Sequence, residues 1–135
     1  DALTTGAPLT VWGSGRAVRQ FVFVDDVARL ALEAVAIDLP AETTIVAPDR
    51  GVSIQDLAKA VAKASGYDGQ VIYDRDQPEG VLVKRLRSDT FSDRFPRFQF
   101  TPLQTGLEMT VRWYRAQQTA GEPVSCGNVS LDRYS

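Results

Sequence analysis

The stretch Leu9–Asp26, LTVWGSGRAVRQFVFVDD, decides how this chain reads. Trp12 and Arg19 flank a Gly13-Ser14-Gly15 turn, Gln20 to Val24 has the aromatic and β-branched content of a buried strand, and Asp25 or Asp26 stands where a helix is capped. A reversal at the glycines would bring an aromatic plane and a guanidinium to one wall. Stacking and bidentate phosphate contact are what those groups do well. The alternative on composition is that Trp12 is a core anchor and Arg19 a surface charge. The Gly-Ser-Gly-Arg run matches neither GxGxxG nor the P-loop pattern, and no long helix opens directly after it, so it reads as a turn and not as a phosphate cradle.

Outward from this stretch, helix signals dominate. Val27, Leu30, Ala31, Ala34 and Val35 recur at helical spacing and predict one apolar face. Thr43 to Ala47 reads as a short strand between Pro40 and Pro48. Ser53 with Asp56 resembles a capping box, with Asp in place of the usual Glu or Gln, and Ile54, Leu57, Ala58, Val61 and Ala62 carry the helix to Ser65 and a C-cap at Gly66. Gln70 to Tyr73 is another short strand. Asp74 to Lys84, with Pro78 and Gly80, is a long charged loop. Ser88 caps a short helix ending near Arg94. Thr101-Pro102-Leu103-Gln104 then opens the last helix, with Leu103, Leu107, Val111 and Tyr114 as its buried face. Toward the other end, Asp1 to Gly6 reads as the last turn of a helix with Gly6 as its left-handed cap. The expected class is α/β, a small mixed α+β layer. Residues 1–120 form one domain and 121–135 a polar, flexible tail.

At 135 residues and 44% apolar content the chain suits one domain with a modest core. A net charge of −2 provides no general field for nucleic acid or an anionic membrane, so any phosphate must be held by locally placed bases. No apolar run approaches the roughly 18 residues of a membrane span. The single cysteine, Cys126, excludes an internal disulfide, and with no histidine in the chain to activate it, it is a poor nucleophile. A reducing, cytoplasmic setting is the expectation. The lack of histidine also argues against zinc sites and histidine-based triads. No Tyr-x-x-x-Lys pair occurs, since Val71, Gln77 and Gln118 lie four beyond Tyr67, Tyr73 and Tyr114. Within the charged loop, Lys84 is suited to neutralise phosphate and Glu79 to accept hydrogen bonds from sugar hydroxyls, the alternative being a solvated loop. The start at Asp1-Ala2-Leu3 reads as that of a piece of a longer protein.

Five ordered landmarks carry a resemblance: LTVWGSG with Arg19 beyond it, RQFVFVDDVARL, VSIQDLAKAVAKASGYDGQVIYD, QPEGVLVKR and FPRFQFTPLQTGLEMTVRWY. Together, over roughly Ala2 to Gln118, they resemble the C-terminal substrate-binding portion of the GDP-L-fucose synthase family. These are extended short-chain dehydrogenase/reductases, also described as GDP-4-keto-6-deoxy-D-mannose epimerase-reductases. The resemblance implies that Trp12 and Arg19 contact a GDP-sugar, with Glu79 at the place of a loop aspartate and Lys84 at that of a basic residue. Val83 stands where a second basic residue is common. It also implies that the NADPH-binding Rossmann domain and all catalytic residues lie upstream of Asp1. This chain would then bind no cofactor or metal, would be inactive alone, and would belong to an enzyme that is a homodimer when intact. Two alternatives stay open: the matching part of an epimerase or dehydratase acting on UDP-, dTDP- or other GDP-sugars, and a non-catalytic protein-interaction module.

Overall fold

The computed structural model describes residues 5–37, 42–87 and 89–119. Among these residues, four short strands and four helices follow one another as β1 (Leu9–Trp12), β2 (Val18–Arg19), α1 (Val24–Ala36), β3 (Val52–Ser53), α2 (Ile54–Ser65), β4 (Val71–Asp74), α3 (Asp89–Arg94) and α4 (Leu103–Thr119). The small mixed α/β class expected from the sequence is the one observed. β1 and β4 pair in parallel, with Leu9 opposite Val71 and Trp12 opposite Asp74. β2 and β3 pair antiparallel through Val18–Ser53 and Arg19–Val52, and an isolated parallel bridge sets Val83 on the other side of Val18.

Helix α2 forms as its local signals require. The Ser53 hydroxyl accepts the Asp56 N–H at 3.0 Å and donates to Asp56 Oδ2 at 2.7 Å, so the Asp side chain meets the cap hydroxyl where a Glu would reach the cap N–H. Gly66 ends the helix at φ 65°. Arg115 of α4 then donates to the Ser65 carbonyl at 2.7 Å, satisfying one of the acceptors that a helix C-terminus leaves open. The predicted inner face of α2 is buried or half-buried.

The core lies elsewhere, where α1 meets α3 and the segment after it. Leu30, Phe91 and Phe95 are buried there, with Ala34, Val46, Phe98 and Phe100 packed around them. Phe91 stands 5.4 Å from Phe95, 5.9 Å from Phe98 and 5.3 Å from Phe100 between ring centroids, in stacked, edge-on and tilted geometries.

Several expectations need correction. Gln20 to Val24 is not a strand: the β2 ladder stops at Arg19, with no strand described beside residues 20–24, and the Gln20 side-chain amide instead donates to Pro48 O at 2.6 Å and accepts the Leu86 N–H at 2.7 Å. α1 begins at Val24, and its cap residue is the extended Phe23 with no side-chain cap bond, so neither Asp25 nor Asp26 caps it. Asp26 is turned inward instead. Residues 43–47 form no strand, since no other described strand lies alongside to complete a ladder, although Ala47 is buried. The predicted face of α1 is only partly used: Leu30 is buried and Ala34 half-buried, whereas Val27 and Val35 are exposed, Val35 at 83%. On α4, Leu103, Leu107 and Val111 are half-buried, but Tyr114 is exposed and Gln104 donates to Glu108 instead of serving the cap. Gly6 has the left-handed φ of 69° expected of it. The helix expected before it, the Ser88 cap, Cys126 and the tail fall wholly or partly outside the described residues.

Candidate functional site

The candidate residues converge on the ends of β1 and β2. Along β1 the side chains alternate, with Leu9 and Val11 half-buried and Thr10 and Trp12 outward. Trp12 is 68% exposed, which removes the core-anchor reading and leaves its indole available as an open aromatic surface. The Gly13 N–H donates to Asp74 O at 2.7 Å, closing the strand pair, after which the chain reverses.

The reversal requires glycine at two places. Gly13 has φ 79° and Gly15 φ 74°, and a Cβ would lie 2.9 Å from Glu79 Cβ at the first and 2.6 Å from Tyr73 Cε1 at the second. The run is thus a turn, as its spacing predicted. Beyond it, Ala17 is buried, the Gln55 N–H donates to Gly15 O at 2.8 Å, and the Ile54 N–H donates to Ala17 O at 2.9 Å, fixing the turn to the start of α2.

Arg19, half-buried at the end of β2, donates from Nη1 to Val18 O at 2.7 Å. Its Nη2 approaches Gly80, lying 3.9 Å from where a Cβ on that glycine would be. The charged loop returns along β2, the Val18 N–H donating to Leu82 O at 2.7 Å and the Lys84 N–H to Val18 O at 3.2 Å. Lys84 is exposed beside that strand. Glu79 therefore meets the turn itself, while Arg19 and Lys84 lie along β2 beyond it.

Glu79 does something the sequence did not suggest. Its Oε1 accepts the Ser14 hydroxyl at 2.5 Å, and Ser14 Oγ in turn accepts the Arg16 N–H at 3.3 Å. The Ser14 hydroxyl holds the Glu79 carboxyl below its ordinary value, opposed by partial desolvation and aided by the backbone N–H groups of Ser14, Arg16 and Ala17. Ser14 is the residue sequence reasoning missed. The glycines flanking it were the available signal, because a serine between two positive-φ glycines has its hydroxyl set by the turn.

Two clefts lie away from this wall. One of about 540 Å³ is lined by Arg29, Arg94, Phe95 and Phe98, but Arg29 is paired with Asp26 and Arg94 with Glu42. The other, about 360 Å³, is lined by Phe23, Val24, Met109 and Trp113 and is mainly apolar. Neither cleft contains Trp12, Arg19, Glu79 or Lys84. Among the described residues no group of acidic or cysteine side chains is placed to hold a metal, and no helix is long and apolar enough to cross a membrane. A dinucleotide does not fit the turn either: β2 follows it where a phosphate-binding turn would open a helix, and Glu79 occupies its donors.

Residues 1–45 match the model of the NAD dependent epimerase/dehydratase family. A probable GDP-L-fucose synthase of Drosophila melanogaster is 33% identical over 107 residues, which cover 78% of this chain and 33% of that protein. The crystal structure of a GDP-L-fucose synthetase from Naegleria fowleri bound to NADP superposes with a TM-score of 0.82 at 25% identity, covering 90% of this chain and 38% of that one. The UDP-glucose 4-epimerase of Thermotoga maritima, solved with UDP-glucose, superposes at 0.73 and 26% identity over 87% of this chain and 38% of its own. The chain thus spans about a third of the length of the relatives it matches. Sequence and fold agree that the chain is similar to part of the GDP-L-fucose synthases, and its first 45 residues match the NAD dependent epimerase/dehydratase model.

Proposed function

We propose that this chain is the nucleotide-sugar-binding portion of an NADPH-dependent epimerase-reductase that makes GDP-L-fucose from GDP-4-keto-6-deoxy-mannose. The observation that carries the reading is an exposed Trp12 at one end of a glycine turn held by Glu79, with Arg19 and Lys84 along the strand that follows it. Trp12 stacks the base, Arg19 and Lys84 take the diphosphate, and Glu79 lies at the same wall. The chain's own contribution to catalysis is grip and orientation of the substrate. NADPH binding and proton transfer belong to a partner domain. In this reading that domain covers the apolar side chains exposed along α1, among them Val24, Val27 and Val35, and the intact enzyme is a cytoplasmic homodimer.

Two other readings have support. Similarity to a structure holding UDP-glucose favours a UDP-sugar epimerase. The exposed face of α1 favours an interaction module without a nucleotide.

Calorimetric titration of the chain with GDP and with UDP, at low and moderate salt, separates all three. Preference for GDP, even at about millimolar affinity or roughly −4 kcal/mol, supports the proposal. Preference for UDP favours the second reading, and no heat from either favours the third. The chain alone should not oxidise NADPH in the presence of the keto-sugar, as followed by NADPH absorbance. Turnover would sink the division of labour proposed.

A further inference from the structure

An acidic side chain at a wall meant for a diphosphate needs explaining, because a free carboxylate there would repel the ligand. Glu79 is not free. Its stem lies against the backbone of Gly13, its carboxylate takes the Ser14 hydroxyl at 2.5 Å, and that hydroxyl also holds the Arg16 N–H. Gly80, the next residue, sits beside the Arg19 guanidinium. One carboxylate thus joins the charged loop to the turn that links Trp12 of β1 to β2, at whose end Arg19 lies. The turn contains two of the most permissive residues a chain can have, and without an outside hold each ligand would have to order it anew.

We propose that Glu79 and Ser14 form a clamp that preorganises the Trp12–Arg19 wall for a nucleoside diphosphate, Glu79 acting as a positioning residue through the turn and not as a direct acceptor of hexose hydroxyls. This inference rests on the nucleotide-sugar reading. It accounts for the carboxylate: its lone pairs face donors of the turn, so its charge is directed away from the anion that Arg19 would hold. It also gives Ser14 a role in recognition without touching the ligand.

The two roles of Glu79 separate by ligand. GDP lacks the hexose, so a direct acceptor of hexose hydroxyls contributes to binding GDP-mannose and not GDP, whereas a clamp contributes equally to both. Calorimetry on the chain and its Ser14→Ala, Ser14→Thr, Glu79→Ala and Glu79→Gln variants, with thermal unfolding of each, is the test. The clamp predicts that Ser14→Ala and Glu79→Ala weaken GDP and GDP-mannose alike, by about tenfold. Ser14→Thr, which keeps the hydroxyl, restores binding, and Glu79→Gln, which keeps an acceptor, weakens it less than Glu79→Ala. Loss confined to GDP-mannose, wild-type affinity in Ser14→Ala, or no rescue by Ser14→Thr would each overturn the clamp while leaving the nucleotide reading intact. If the wild-type chain binds neither ligand, the nucleotide reading falls and the positioning role falls with it. Glu79→Gln, the gentlest of the changes, serves if a truncation fails to fold.

Discussion

The carboxylate of Asp26, 2% exposed in the first turn of α1, accepts both the backbone N–H and the hydroxyl of Thr101, at 2.7 and 2.9 Å. It is the largest fully buried side chain described and has its remaining donor in Arg29 at 3.1 Å. A charge is tolerated at such a place only when its lone pairs are satisfied, and Thr101 supplies two of the partners. The bond pair fixes the entry to α4 against the start of α1, which in turn sets Phe23 against the buried Gly106.

Removing this link should be costly. Asp26→Ala leaves the Thr101 N–H without an acceptor and is expected to lose about 3 kcal/mol in urea unfolding. Thr101→Val removes only the hydroxyl and should cost about 1 kcal/mol. Equal losses from the two changes would show that the backbone bond to Asp26 contributes nothing.

The two sides of α1 should respond differently to truncation. Leu30→Ala opens the phenylalanine core and is expected to cost about 3 kcal/mol. Val35→Ala, on a side chain 83% exposed, should change stability by less than about 0.5 kcal/mol. Similar values for both would mean that Val35 is covered, for instance by self-association, and the oligomeric state would then be measured.

At the turn, Gly15→Ala combines a φ of 74° with a Cβ 2.6 Å from the Tyr73 ring, and should lose about 2 to 3 kcal/mol. Gly66→Ala meets open space at φ 65°, so only the backbone conformation opposes it and about 1 kcal/mol is expected. Thermal unfolding of the pair measures the steric part by difference. No difference would mean that the turn relaxes around the new methyl group.

Trp12 and Arg19 should matter for binding and little for stability. Trp12→Ala removes an outward side chain, and its unfolding free energy should stay within about 0.5 kcal/mol of wild type. Both Trp12→Ala and Arg19→Ala are expected to lower GDP affinity by at least about tenfold. Unchanged GDP affinity in both would remove the wall from the proposed site.

Glu79 gives the chain an acid sensitivity of known sign. Its folded value is depressed, chiefly by the Ser14 hydroxyl, so its contribution is fully present above the ordinary glutamate value and is lost as pH falls through the lower folded value. The Arg16 and Ala17 amide resonances should titrate in that acidic range in the wild-type chain and stop doing so in Glu79→Gln. A midpoint at or above the ordinary value would mean that the Ser14 bond is not formed in solution.

Much of the local structure was legible before any coordinates. Ser53, Asp56 and Gly66 bracketed α2, Pro102 marked the start of α4 to within one residue, and the loop around Pro78 and Gly80 was irregular as expected. The errors lie where partners decide. Gln20 to Val24 has strand composition, yet a strand needs a neighbour, and none lies beside these residues among those described. Asp26 has the profile of a helix cap, yet a donor pair far along the chain draws it inward. The four candidate residues were chosen from residue type and family resemblance, and only in three dimensions does Glu79 turn out to reach Ser14 of the glycine turn.

The sequence by itself determined the elements whose signals are contained within a few residues: the capped and glycine-terminated α2, the glycine turn, and the spacing of Trp12 and Arg19 across it. Tertiary structure alone decided that Trp12 faces outward, that α1 buries Leu30 and leaves Val35 exposed, and that Glu79 turns onto Ser14. The reason is the range of the forces involved. Capping and periodicity act between neighbours on the chain. The bonds Ser14–Glu79 and Asp26–Thr101 join residues 65 and 75 positions apart, and no local pattern records which distant donor a carboxylate will meet.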